Sequence, residues 1–394
     1  MKTKSITLTI SLILLSFIAC SADNGSGGNE LPGPATPETI VLKLADSNAT
    51  PETKALYSQL WAIQSKGFMF GHHDDLWYGR KWYNEPGRSD TKDVSGDYPA
   101  VCSIDFAEIM DDRYENNTAN EIRRRVILEA RRRGEVITAC IHINNPLTGG
   151  DSWDNSSREV AKEILKNGSE TNIKFKTWLD RLAAFALNLK DDAGNHIPVL
   201  FRPFHEHTQT WSWWGSRCTT EQEFISLWRF TIEYLRDEKG VHNFIYAISP
   251  QMDTAKREED FYFRWPGDNY VDFIGMDCYH GTNASIFAAN LKSISAASKT
   301  KMKPCGVTET GVEGFQDKDF WSKQILEPAT GRAISMIVMW RNKYDPQETG
   351  NHYFSVFKGH PSETDFRKMY ANPLALFSAD LPDMYTLAEN ITVE

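Results

Sequence analysis

Eight short runs of β-branched and aromatic residues recur along a chain of 394 residues, most of them followed by a longer helical stretch, with no break in composition between them. This alternation predicts an α/β protein, a single (β/α)8 (TIM) barrel domain, over a doubly wound sheet. Several runs are nearly continuously apolar, as parallel strands covered by helices are, rather than alternating as in a half-solvated sheet. The third observation is positional: His, Asp, Glu, Trp and Arg gather at the C-terminal ends of the runs, where a barrel builds its functional face.

Taken in order, the chain starts with Lys2 and Lys4 before an apolar stretch from Ile6 to Ile18 that is too short to span a bilayer. It ends in Phe17-Ile18-Ala19-Cys20, and a small residue before Cys resembles the bacterial lipobox. The expectation is a lipoprotein signal peptide at 1–19, with lipid attached at Cys20 after cleavage and the protein tethered to the outer membrane in the cell envelope, facing the periplasm or the surface. A plain secretory signal, giving a soluble periplasmic or secreted protein, is the alternative. Residues 20–38 are rich in Gly, Ser and Pro and read as a flexible tether, leaving 39–394 for the barrel.

Strands are predicted at 68–70, 100–106, 136–143, 197–204, 243–249, 271–279, 305–308 and 335–340. Helices are predicted at 120–133, 175–189, 221–238, 285–299 and 319–327, while 251–269 shows no clear helix. Ile122, Val126 and Ala130 form an apolar stripe, so the Arg123-Arg124-Arg125 and Arg131-Arg132-Arg133 triplets are read as a solvated helix face. Beyond Cys20, five cysteines (Cys102, Cys140, Cys218, Cys278 and Cys305) form no disulfide framework, although one bridge is left open.

Forty-three Lys and Arg against 53 Asp and Glu give a net charge of −10, which disfavours a nucleic-acid partner. Twelve Trp, 14 Tyr and 21 Phe exceed what core filling requires, and such rings suit flat, weakly polar ligands such as sugars. Trp61, Trp178, Trp228 and Trp321 fall on helices and are expected to pack against the barrel, leaving Trp77 and Trp82 as candidates for an extended sugar subsite.

The strand ends carry the chemistry. Glu206, in Arg202-Pro203-Phe204-His205-Glu206-His207, and Glu309, in Thr308-Glu309-Thr310-Gly311, each close an apolar strand, and about three β/α units separate them. Strands four and seven face each other across an eight-stranded mouth, so both carboxyls can reach one atom. Cleavage of a glycosidic bond needs that pairing, with one carboxyl protonating the leaving oxygen and the other attacking or activating water. Arg202 and His205 could help push the two pKa values apart. Glu313, in a Gly-flanked loop, is the local competitor to Glu309. The His72-His73-Asp74-Asp75 cluster, with His142, His205, His207 and His280, would instead suit a metal-dependent hydrolase, a reading that leaves the tryptophans without a role.

The segment from Arg202 to Trp211-Ser212-Trp213-Trp214-Gly215 resembles the acid/base signature of glycoside hydrolase family 26, mainly β-mannanases on a (β/α)8 barrel. The resemblance extends through Phe70-Gly71-His72, His142 to Pro146, Asp277-Cys278-Tyr279, Thr308-Glu309-Thr310-Gly311, Trp340-Arg341-Asn342 and Gly359-His360-Pro361-Ser362. It implies that Glu206 is the general acid/base and Glu309 the nucleophile of a retaining double displacement. It implies that His205 hydrogen-bonds Glu309 or the sugar, and that Tyr279 lies beside the nucleophile. Trp211 and Trp340 would form the platform and wall of the cleavage subsite, with His142 on the same sugar, Arg341 on the next and Trp153 on the leaving-group side. His207, with Thr208-Gln209 after it, departs from the family pattern and bears on the leaving-group subsites. The implied protein is a monomer that needs no cofactor and no metal. It meets the membrane only through its lipid and hydrolyses β-1,4-mannan, galactomannan or glucomannan, by endo or exo action. A β-1,3-1,4-glucan or β-1,3-xylan hydrolase of the same family and a non-catalytic glycan-binding lipoprotein are the alternatives.

Overall fold

The structure is a computed structural model that describes residues 39–111, 113, 118–344, 347 and 350–394. The signal peptide and tether expected at 1–38, Cys20 included, lie outside the described residues. All eight predicted strands form: β1 (Phe68–His73), β2 (Val101–Asp105), β3 (Val136–Cys140), β4 (Val199–Arg202), β5 (Phe244–Ile248), β6 (Phe273–Cys278), β7 (Cys305–Thr310) and β8 (Met336–Met339). Each pairs in parallel with the next, and β8 returns to β1 through Met336–Met69 to Met339–His72, which closes the barrel. A short strand, Ala375–Leu376, adds to β1 outside the ring.

The N-terminal end of the barrel is sealed, and this leaves the opposite end for a site. Met69, Val101, Val136, Leu200, Ile245, Phe273 and Met336, each the first or second residue of its strand, pack in one cluster with Leu56, Leu60 and Ile63 of the helix Pro51–Ile63. That helix starts where Thr50 accepts a hydrogen bond from the Thr53 N–H and Pro51 supplies a preset φ. Two parallel strands, Ile40–Leu42 and Ile391–Val393, tie the chain ends beside it.

The outer helices follow the apolar periodicity. Glu221–Glu233 opens with a capping box between Thr220 and Glu223, and after β5 only two 3-10 turns appear, Glu258–Tyr262 and Asp268–Tyr270, as the missing periodicity indicated. Trp178, Trp228 and Trp321 are buried against the barrel, with Trp61 half-buried. All five cysteines of the described residues are buried and free.

Two expectations are corrected. In the helix Ala119–Arg132 the stripe of Ile122, Val126 and Ala130 is buried, but Arg123 is not on a solvated face and is only 3% exposed. It sits near the N-terminal end of that helix, against the end of β2. Its Nε donates to the Asp105 carbonyl, Nη2 pairs with Glu108 at 2.7 Å, and its guanidinium lies 4.7 Å from the Trp77 ring centre. Trp82 is not a sugar platform either: it is buried and donates to Asp90 at 2.8 Å. Indole N–H groups seek partners when buried, and this one found a carboxylate behind the cleft rather than a face toward it.

Gly71 lies where β8 meets β1. A Cβ there would come 2.8 Å from Val338 Cγ2 and 2.9 Å from Val101 Cβ, closer than carbon atoms pack. Gly71→Ala is expected to lower stability by about 1–3 kcal/mol through overpacking of the closing seam, read as a lower urea midpoint with an unchanged slope.

Candidate active site

After β4 the backbone enters the left-handed region at Phe204 (φ 50°) and again at Glu206 (φ 52°), both non-glycine. Each such residue costs on the order of 1–3 kcal/mol and persists only where its surroundings enforce it. Here the enforcement is visible: Trp214 Nε1 donates to the His205 carbonyl at 2.7 Å, Trp213 Nε1 to the Ile143 carbonyl at 3.0 Å, and the Glu206 N–H to the Ser249 carbonyl at 2.8 Å. The turn sends Phe204, His205 and His207 into the protein and Glu206 toward the cleft. His207 stacks on Phe224 at 4.5 Å, and burial holds its pKa down at about 3.

Glu206, Asp277 and Glu309 converge, with an oxygen of each within 4.8 Å of the others. One guanidinium serves the group. Arg202 Nη1 donates to Asp277 at 2.7 Å, and Nη2 donates to Glu309 Oε1. Glu309 Oε2 also accepts from the Tyr279 hydroxyl at 2.9 Å, and Asp277 Oδ1 from Thr308 at 2.7 Å. Among the described residues the Glu206 carboxyl accepts only the Trp211 indole N–H, 2.5 Å from Oε2. Burial, and next the Glu309 and Asp277 charges, push the Glu206 pKa well above the usual carboxylate range, and the Trp211 bond opposes them weakly. Burial also pushes the Asp277 pKa well above its usual value, against the attraction of Arg202, and of the three carboxyls Glu206 is the one that Arg202 does not hydrogen-bond.

These groups open into a cavity of about 480 Å³ lined by His142, Trp153, Trp211, Tyr279, Trp340 and Arg341 together with Glu206 and Glu309. Trp153 is 62% exposed, its ring 4.4 Å from that of Trp211. Trp340 is backed by His73, stacked at 4.2 Å. Arg341 lies 5.5 Å from the Trp340 ring centre and donates to the Tyr78 hydroxyl at 3.3 Å. A second cavity of about 520 Å³ shares Asp105, His142 and Arg341 and runs on past Trp77, Tyr78 and Tyr344, so the cleft is longer than one sugar.

His205 departs from its expected place. It is fully buried and bonds His142, Nε2 to Nε2, at 3.1 Å; the partners of Glu309 are Arg202 and Tyr279. The left-handed turn that delivers Glu206 to the cleft faces its neighbour inward. Glu313 is 57% exposed at the rim, where it pairs with His352 at 2.8 Å, apart from the carboxyl group. Of the histidines of the metal-hydrolase reading, His142 and His205 meet each other, while His72 pairs with Asp75 at 3.0 Å, His280 stacks on Phe287 and His207 on Phe224. Among the described residues, neither group of converging potential metal ligands holds more than one histidine. Asp105, Ser152, His352 and Phe354 also line the cleft and were not singled out from the sequence. Asp105 could have been, since it ends β2 as Glu309 and Asp277 close out β7 and β6.

Residues 45–349 match glycosyl hydrolase family 26. A mannan endo-1,4-β-mannosidase of Bifidobacterium adolescentis is 30% identical over 354 residues, covering 83% of this chain and 34% of that protein, so this chain spans about a third of that relative's length. Among solved structures, a family 26 β-mannanase from Bacteroides ovatus superposes with a TM-score of 0.81 at 38% identity, covering 86% of this chain and 98% of the other. The catalytic domain of a family 26 endo-β-1,4-mannanase from Bacillus sp. JAMB-750 gives 0.82 at 30% identity, covering 92% and 100%. Sequence and barrel agree over most of the chain, and the protein belongs to glycosyl hydrolase family 26.

Proposed function

We propose that the protein hydrolyses β-1,4-mannan with retention of configuration. The observation that carries this reading is the approach of the Glu206 and Glu309 carboxyls to within 4.8 Å, close to the roughly 5–5.5 Å spacing of retaining enzymes and short of the gap that an inverting enzyme leaves for water. A β-linked sugar lies between Trp211 and Trp340. A Glu309 oxygen attacks the anomeric carbon as Glu206 gives its proton to the glycosidic oxygen, which leaves with the rest of the chain. Arg202 and Tyr279 orient the Glu309 carboxylate for attack. In the second half Glu206, now ionised, takes a proton from water, and the hydroxide so formed displaces Glu309 from the sugar. The mannan substrate is supported by the names of the relatives and by the aromatic walls with Arg341 beyond them.

Glu309→Ala is expected to cut release of reducing sugar from soluble mannan by about 10⁴-fold or more while polysaccharide binding persists. Glu206→Ala should lose about 10²- to 10⁴-fold on mannan and far less on an aryl glycoside whose leaving group needs no proton. Proton NMR of the first product should show the β-anomer; the α-anomer appearing first would overturn the nucleophile role.

Because Glu206 must enter protonated, kcat/KM falls as pH rises through its raised pKa. Trp211→Phe removes the N–H that favours the ionised form, so the Glu206 pKa rises further and the alkaline limb moves to higher pH. A downward move would contradict this placement of the proton.

We also propose that Cys20 carries a lipid anchoring the barrel to the cell envelope, supported by Lys2, Lys4, the apolar stretch and Ala19-Cys20. In a Gram-negative host, labelled palmitate should enter the wild-type protein and not Cys20→Ser, which should move to the soluble fraction. Unlabelled wild-type protein would favour simple secretion.

A further inference from the structure

Three side chains, Asp105 and His142 in the cleft lining and His205 buried behind them, form a directional hydrogen-bond chain. Asp105, at the end of β2, accepts from His142 Nδ1 at 2.7 Å with Oδ2, and its Oδ1 accepts the backbone N–H groups of Ala107 at 2.7 Å and His142 at 3.3 Å. His142 Nε2 lies 3.1 Å from His205 Nε2. The far nitrogen of His205, Nδ1, is buried with no hydrogen-bond partner among the described residues. The Cys140 sulfur lies 3.9 Å from His142 Nδ1, and the ring centres of Trp211 and Trp340 lie 5.9 and 5.7 Å from that of His142.

The tautomers follow from counting protons. Burial favours a neutral Asp105, but the bonds from His142 and Ala107 outweigh it and hold the carboxyl well below its usual range, so it is an anion that only accepts. His142 therefore carries its proton on Nδ1, and its Nε2 offers a lone pair. Two imidazole nitrogens at hydrogen-bond distance need one proton between them, so His205 supplies it from Nε2 and leaves Nδ1 bare. Burial, and next the proximity of His142 and Arg202, keep His205 neutral.

We propose that Asp105 is a positioning residue that fixes His142 as the Nδ1–H tautomer and, through it, His205 as the Nε2–H tautomer. The locked pair is the spacer that sets Trp211 and Trp340 on either side of the reacting sugar. With both ring nitrogens engaged, His142 turns its ring face toward Trp211, from which it is tilted by only 24°. Trp211 in turn holds Glu206 through its indole N–H, so a change at Asp105 is passed to the acid/base through His142 and Trp211. A carboxylate that orients a histidine and selects its tautomer is a general device, and its loss is costly where the amide presents the wrong hydrogen-bonding group.

Asp105→Asn separates this role from mere filling of space. The two backbone N–H groups facing Oδ1 demand the amide oxygen there, which turns the NH₂ toward His142 Nδ1. His142 must then move its proton to Nε2, where it meets the Nε2–H of His205. Long-range ¹H–¹⁵N spectra of ¹⁵N-histidine-labelled protein are expected to show His142 protonated on Nδ1 and His205 on Nε2 in the wild type, and His142 switched to Nε2–H in Asp105→Asn. Because no substrate is involved, this readout stands apart from the mannan reading. The kinetic arm rests on that reading: kcat on mannan should fall about 10- to 100-fold in Asp105→Asn, and less in Asp105→Ala, which leaves His142 free to keep its tautomer. Wild-type protein with His142 protonated on Nε2, or Asp105→Asn with unchanged tautomers, would overturn the proposal even if mannan is cleaved as expected. Normal tautomers in a protein inactive on mannan would leave the proposal standing and count against the substrate.

Discussion

A single buried guanidinium among three carboxyl groups governs this molecule's chemistry. Two carboxylates at about 5 Å repel by roughly 3 kcal/mol even at an effective dielectric of 20, so Glu206, Asp277 and Glu309 cannot all ionise behind one cation. Arg202 resolves the competition by geometry. Its fork reaches Asp277 with one arm and Glu309 with the other, and it makes no hydrogen bond to Glu206. A carboxyl bound to the cation and one that is not therefore stand side by side in one cleft, distinguished by which of them the fork can reach. Asp277 shares the cation with Glu309 and accepts the Thr308 hydroxyl, which pins the fork in place.

The aromatic residues are organised around the same need for rigidity. Trp213 and Trp214 are fully buried, and their indole N–H groups clamp the carbonyls around the left-handed turn. Trp211, two residues before them, is half-buried at the cleft and bonds Glu206. One short stretch of chain thus supplies both the scaffold that enforces backbone strain and a wall of the cleft. Behind Trp340, the stacked His73 plays the part that His142 plays beside Trp211. The walls of the cleft are held by imidazoles, and one of these is held by the carboxylate of Asp105.

Much of the fold was legible because the strands are apolar on both faces and short, and a run such as Val136–Cys140 has no amphipathic alternative. The absent helix after β5 was legible for the same reason, since no 3.6-residue stripe runs there. Glu206 and Glu309 stood out as carboxylates at the ends of such runs. Less visible were groups whose meaning depends on what faces them. Arg123 reads as one of three consecutive arginines on a helix, and only its place beside Trp77 and the Asp105 carbonyl buries it. Trp82 reads as a loop aromatic until Asp90 is seen to accept its N–H.

The sequence alone determined the strand count, the closed α/β architecture and the two acidic side chains of the site, because all three follow from local patterns: apolar runs, helical periodicity and charged residues where those runs stop. The tertiary structure decided the direction of each side chain beyond the strand ends. Two left-handed residues place Glu206 in the cleft and turn His205 behind His142, and the meeting of β4, β6 and β7 puts one arginine between Asp277 and Glu309. Those outcomes depend on backbone angles and on partners from distant segments, and a linear pattern of residue types encodes neither.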